Sequence, residues 1–103
     1  MFINDLSIDT LKEIFKDYPL YSQEFISNKK VLIEFYIPNQ NMYWLMTEGS
    51  LEENDFTMFG YCHINDPEFG YVSFNELKKY RYTIKYKVYN NRYLEELKDL
   101  YKI

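Results

Sequence analysis

Cys62 and His63 are adjacent, and a thiol beside an imidazole has the makings of a nucleophile and its base. The flanking Phe59-Gly60-Tyr61 and Ile64 read as strand, where neighbouring side chains point to opposite faces. The two groups would then face away from each other. With one His and one Cys in the chain, no second pair of this kind exists, and Cys62 reads as a small core residue. The same scarcity weighs against zinc, which wants three or four His, Cys or carboxylate ligands. Glu48, Glu52, Glu53 and Asp55 could touch a hard cation, but they lack the D-x-D-x-D-G spacing of a calcium loop. Gly49, Gly60 and Gly70 are isolated and form no phosphate loop. No catalytic residue, metal or cofactor is expected. An enzyme would need carboxylates alone as acid and base, which makes it the third reading.

Charge layout points instead to binding. The net charge is −4, but from Val31 to Leu77 there is no Lys or Arg. That span holds Glu34, Glu48, Glu52, Glu53, Asp55, Asp66, Glu68 and Glu76, after which come Lys78, Lys79, Arg81, Lys85, Lys87 and Arg92. Such segregation predicts an acidic lobe and a basic stripe. Residues 48–54 read as a polar acidic loop beside Trp44, so Trp44, Glu48, Glu52, Glu53 and Asp55 are the candidate surface for a protein partner with a basic face. The alternative is a nucleic-acid-binding module on the basic strand 78–92, with Arg81, Lys85 and Lys87 on phosphates. Alternation works against it, because Tyr80, Tyr82 and Tyr86 fall opposite the cations and read as core. Lysines that guard a sheet edge explain the same pattern.

The element that must position these groups is Phe56 to Leu77. It carries Phe-Gly-Tyr twice, at Phe59-Gly60-Tyr61 and Phe69-Gly70-Tyr71, around the turn sequence Asn65-Asp66-Pro67-Glu68. This predicts a β-hairpin running into a helix capped by the S-x-x-E box Ser73-Phe74-Asn75-Glu76. Pairing Ile64 with Phe69 sets Met58, Cys62, Ile64, Phe69 and Tyr71 on one face and Phe59, Tyr61, Val72 and Phe74 on the other. Both faces are apolar, so the hairpin is expected at the centre of the sheet. Its glycines are expected to leave room for neighbouring aromatic rings.

Around it, Ser7 or Asp9 caps a first helix with Ile8, Leu11, Phe15 and Tyr18 in a stripe, and Pro19 ends it. A loop follows to Asn28. Strands are expected near 31–37, 42–47, 56–64, 69–73 and 80–89. Asn90 or Asn91 then caps a last helix with Leu94, Leu97 and Tyr101 inward. The expectation is an α+β fold in one domain, 1–103: a single antiparallel sheet of about five strands, an N-terminal helix, a short helix after the hairpin and a C-terminal helix. No apolar run approaches the roughly 18 residues of a membrane span. Met1-Phe2-Ile3-Asn4-Asp5 lacks the basic start of a signal peptide, and one cysteine allows no internal disulfide, so a cytoplasmic protein is expected.

Trp44-Leu45-Met46-Thr47-Glu48, Asp55-Phe56, Phe59-Gly60-Tyr61 and Pro67-Glu68-Phe69-Gly70-Tyr71-Val72-Ser73-Phe74-Asn75-Glu76-Leu77 resemble the domain of unknown function 2958 family, with its pattern like W-x-x-T-E, F-G and E-x-G-Y-x-S-x-x-E-L. The resemblance spans about Val31 to Leu77. Beyond Leu77, where members tend to show an Arg-Asp pair, this chain has Ile84-Lys85-Tyr86-Lys87. The resemblance implies a small protein of plasmids, phages or other mobile elements, and no assigned activity. Together these readings predict a non-enzymatic acidic interaction protein of a mobile element. It would bind a basic partner and inhibit a host nucleic-acid-handling or defence complex.

Overall fold

The computed structural model describes residues 1–80 and 83–103. Five strands, β1 (Lys30–Tyr36), β2 (Tyr43–Glu52), β3 (Asp55–His63), β4 (Pro67–Ser73) and β5 (Lys85–Tyr93), form one antiparallel sheet in the order β4-β3-β2-β1-β5. Among the described residues three α-helices accompany it, α1 (Ile8–Ile14), α2 (Phe74–Lys78) and α3 (Leu94–Tyr101), with a 3-10 turn at Ile3–Asp5. The class is α+β, as the sequence indicates. Among the described residues no helix is long and apolar enough to cross a membrane.

Both faces of the sheet carry a core, the second over only part of its face. Leu11 and Phe15 at α1 and Phe74 and Leu77 of α2 pack with Ile33, Phe35, Trp44, Met46, Phe56, Met58 and Cys62 on one side. Leu94 and Leu97 of α3 close a second core on Val31, Leu45 and Tyr61. Ser7 caps α1, its hydroxyl accepting from the Thr10 N–H. Ser73 caps α2 by accepting from the Glu76 N–H, and donates its own hydroxyl proton to Asp55.

Three expectations change. The β3–β4 hairpin is not central, because β4 is an edge strand and β1 and β2 fill the middle. Its turn is shorter, with His63 already opposite Pro67. The register therefore pairs Tyr61 with Phe69 and Gly60 with Gly70, and Phe59, Tyr61, Phe69 and Tyr71 share one face. The last strand starts at Lys85 and runs to Tyr93, so Asn90 and Asn91 lie in β5 rather than capping a helix. A register shift opposite Val31–Ile33 absorbs the extra residues. The α3 N-terminus is satisfied largely from afar: Asn28 accepts from the Glu95 N–H at 3.2 Å and the Lys29 carbonyl from the Leu94 N–H at 2.8 Å, while Glu96 locally accepts from the Tyr93 N–H at 2.9 Å. The part of the expected strand at 81–82 lies outside the described residues.

Beneath α3 sits a buried carboxylate. Glu34 of β1 accepts from the Tyr89 hydroxyl at 2.5 Å and the Tyr101 hydroxyl at 2.7 Å. Burial and the Glu34 carboxylate push Tyr101 up to about 12 and move Tyr89 the same way. An unfolded tyrosine ionises near pH ~10. Below that value the contribution of the pair to stability is complete. As pH rises from about 10 toward 12, the unfolded chain releases protons that the folded one keeps, and stability falls. The apparent melting temperature, followed by circular dichroism, is expected to drop through this window and to drop less steeply in Tyr89→Phe. An equal slope in both proteins would remove Tyr89 from the account.

Candidate functional site

The acidic candidates do not form one loop. β2 continues through Glu48, Gly49 and Ser50 to Glu52 and pairs with β3 from Asp55 onward. Polar residues that read as loop are strand because their side chains are used to hold a neighbouring segment. Glu48 is buried, and its carboxylate accepts from the Tyr21 N–H at 2.7 Å and the Gln23 N–H at 2.9 Å. Ser50 accepts from the Leu20 N–H at 3.0 Å. Trp44 is buried in the α1/α2-side core, its ring edge-on to Tyr80 at 5.7 Å. Asp55 accepts from the Phe56 N–H, the Asn75 N–H and the Ser73 hydroxyl. Burial raises its pKa, but those bonds and the Lys78 charge outweigh it and hold the carboxyl below its ordinary range. Glu52 and Glu53 are exposed where β2 turns into β3, with Glu53 in the left-handed region at φ 56°.

Of the basic candidates, Lys85 and Lys87 sit on β5. Lys85 lies over the Phe2 ring at 5.0 Å and Lys87 over the Tyr36 ring at 5.2 Å. Arg81 lies outside the described residues. Cys62 and His63 point to opposite faces as expected. Cys62 is buried, its thiol pushed up to about 11 by burial and the Glu68 charge, while the His63 ring donates to the Asn41 carbonyl. Among the described residues no group of three His, Cys, Asp or Glu could hold a metal.

Convergence occurs elsewhere, on the α3 face of the hairpin. A bulge between Met46 and Glu48 turns the Glu48 side chain to that face, opposite Phe59. Gln23 fills the bulge, its amide donating to the Thr47 carbonyl at 2.7 Å and the Lys30 carbonyl at 2.8 Å. The segment 20–29 is thereby clamped against the sheet and walls a groove of about 260 Å³ lined by Tyr21, Glu24, Lys29, Glu48, Phe59, Phe69 and Tyr71. Its rings form a row: Tyr71 to Phe59 at 4.9 Å, Phe59 to Phe69 at 5.9 Å and Phe69 to Tyr61 at 5.4 Å. Phe69 is 44% exposed and Tyr71 57%.

The groove suits a cation. Aromatic faces attract one, with about 0.5–1 kcal/mol at exposed sites and about 2 when desolvated. Lys98 already stands over the last ring of the row, 4.5 Å from the Tyr61 centroid. Glu48 and Glu24 add negative charge, and among the described residues no ion pair reaches either. The lining Lys29 is turned into its own segment, its ammonium donating to the carbonyls of Gln23, Glu24 and Ile26. At about 260 Å³ the space falls just below the roughly 300–1,000 Å³ of small-molecule pockets, so it fits a long side chain better than a cofactor. Sequence reading missed the site because Tyr21, Glu24 and Phe69 meet only through the fold. The usable signal was the doubled Phe-Gly-Tyr, whose aromatic residues share a face once the turn is set correctly.

A family model described as "Protein of unknown function (DUF2958)" matches residues 11–102, well beyond the stretch on which the sequence motifs lie. No curated protein and no solved structure matches the chain.

Proposed function

From the premise that the chain belongs to the DUF2958 family, we propose a non-enzymatic recognition domain that binds a basic protein partner in the cytoplasm. A Lys or Arg side chain of that partner enters the groove between segment 20–29 and the β3–β4 hairpin. The observation that carries this reading is the row of aromatic faces beside Glu24 and Glu48, on a hairpin free of Lys and Arg. A basic patch that handles nucleic acid is the kind of partner surface this fits, and occupying it would inhibit its owner. The acidic site thus moves from Trp44, Glu52, Glu53 and Asp55 to the groove, with Glu48 common to both.

The test titrates isotopically labelled protein with a short Arg- and Lys-rich peptide, and separately with single-stranded DNA, at about 0.15 M salt. The peptide is expected to shift the resonances of Tyr21, Phe59, Phe69 and Tyr71. A Glu24→Lys, Tyr71→Ala variant is expected to lose about tenfold in affinity, equivalent to about 1.4 kcal/mol. DNA binding that is lost in Lys85→Ala, Lys87→Ala and kept in the groove variant would sink the proposal.

A further inference from the structure

The two edges of the sheet are treated differently. At β5 the N-terminal residues lie along the outer side: Phe2 bridges Lys85, the Ile3 N–H donates to the Ile84 carbonyl at 3.0 Å, and the Tyr86 N–H donates to the Met1 carbonyl at 2.8 Å. Lys85 and Lys87 guard the same strand. Proteins blunt sheet edges with such covers, with lysines, prolines and bulges, or by keeping the strand short. β4 uses few of these. It runs seven residues in regular register with β3, pairs on that side only among the described residues, and carries no Lys or Arg. Pro67 is its first residue, leaving the rest of the strand able to donate.

We infer that the outer edge of β4 takes up an extended, cation-bearing segment of the partner as an added strand, an inference that rests on the groove reading above. Strand addition supplies main-chain hydrogen bonds, and alternate side chains supply specificity. On the groove face the new strand would lie beside Phe69 and Tyr71. Strands are about 4.8 Å apart, so the groove over β3 lies roughly two spacings from the incoming backbone. An extended Lys or Arg falls short of that distance but brings its charge over the Phe69 or Tyr71 ring, at the near wall of the groove, and a short side chain does not. On the opposite face Gly70 leaves the edge low, since no atom lies within 4 Å of where its Cβ would stand. Charge decides the occupant. A second copy would bring another cation-free β4 and leave the exposed Glu24 and the aromatic faces without a cation, whereas a basic segment supplies one to both.

The probe is a peptide alternating Lys or Arg with Thr or Val, prepared also with alternate backbone amides N-methylated in each of the two phases. Titration is combined with amide hydrogen exchange on the whole protein. Strand addition predicts that one phase of methylation weakens binding by about tenfold for each hydrogen bond lost while the other is tolerated, and that alternate amides of 67–73 gain protection. Binding in the groove with equal sensitivity to both phases and no protection in β4 would overturn the strand and leave the groove reading standing. No binding of the unmethylated peptide would overturn both. Protection of β4 that grows with protein concentration in the absence of peptide would show a second copy as the occupant and refute the inference.

Discussion

Gly60→Ala is expected to unfold the protein or bring it to the edge of unfolding, while Gly70→Ala leaves stability within about 1 kcal/mol of the parent. The two glycines occupy equivalent places in the doubled Phe-Gly-Tyr and oppose each other across the hairpin. A Cβ on Gly60 would stand 2.7 Å from the Met46 Cα and 2.9 Å from the Leu45 carbonyl carbon, and closer still to the Leu45 oxygen. These are backbone atoms at the β2 bulge, with no side chain able to swing away. Relief requires β2 and β3 to part, which exposes core on both faces. A cost of about 4–5 kcal/mol or more is expected, against a total of about 5–15 for an ordinary domain. At Gly70 the added methyl meets open space, and the stiffer unfolded chain offers a small gain. Urea unfolding of the two variants decides the matter. Equal destabilisation would mean that the bulge does not press on Gly60.

Glu48→Ala is the second large effect. Its carboxylate accepts a buried N–H from Gln23 and a part-buried one from Tyr21, which hold segment 20–29 against the sheet. A hydrogen bond to a charged group contributes about 1.5–3 kcal/mol, and a buried donor left alone keeps its desolvation cost. Loss of both is expected to destabilise the protein by about 3–5 kcal/mol, and Glu48→Gln, which keeps one acceptor oxygen, by about half of that. Amide exchange at Tyr21 and Gln23 should accelerate in Glu48→Ala even where the sheet remains intact. Unchanged exchange at these amides would show that the segment is held by Gln23 and Ser50 instead.

Much of the architecture was legible because short-range rules set it. Alternation located the strands to within a few residues over most of the sheet, and Ser7 and Ser73 named two helix starts. What failed depends on partners distant in the chain. Asn90 and Asn91 look like caps, but β1 draws them into β5, and the cap of α3 comes from Asn28. Glu48, Gly49 and Ser50 look like a solvated loop until segment 20–23 brings its N–H groups to them. The hairpin looks central because both its faces are apolar, yet the face bearing Phe69 and Tyr71 stays open to water. The segregation of charge was legible, and the place where carboxylates meet aromatic faces was not, because the bulge that turns Glu48 leaves no mark in the sequence pattern.

The reliance of α3 on Asn28 and Lys29 has a consequence in time. A ribosome delivers β1 to β4 before β5 and α3. During that interval Val31, Leu45 and Tyr61 have no cover, since Leu94 and Leu97 come later. The side of β1 that β5 will occupy is also bare. The nascent chain thus shows an oily face and two open sheet edges where the finished protein shows one, and such exposure is what makes partly folded chains aggregate. The chain is most exposed to aggregation before β5 and α3 have joined the sheet, and the docking of the fifth strand and its helix is what makes it safe.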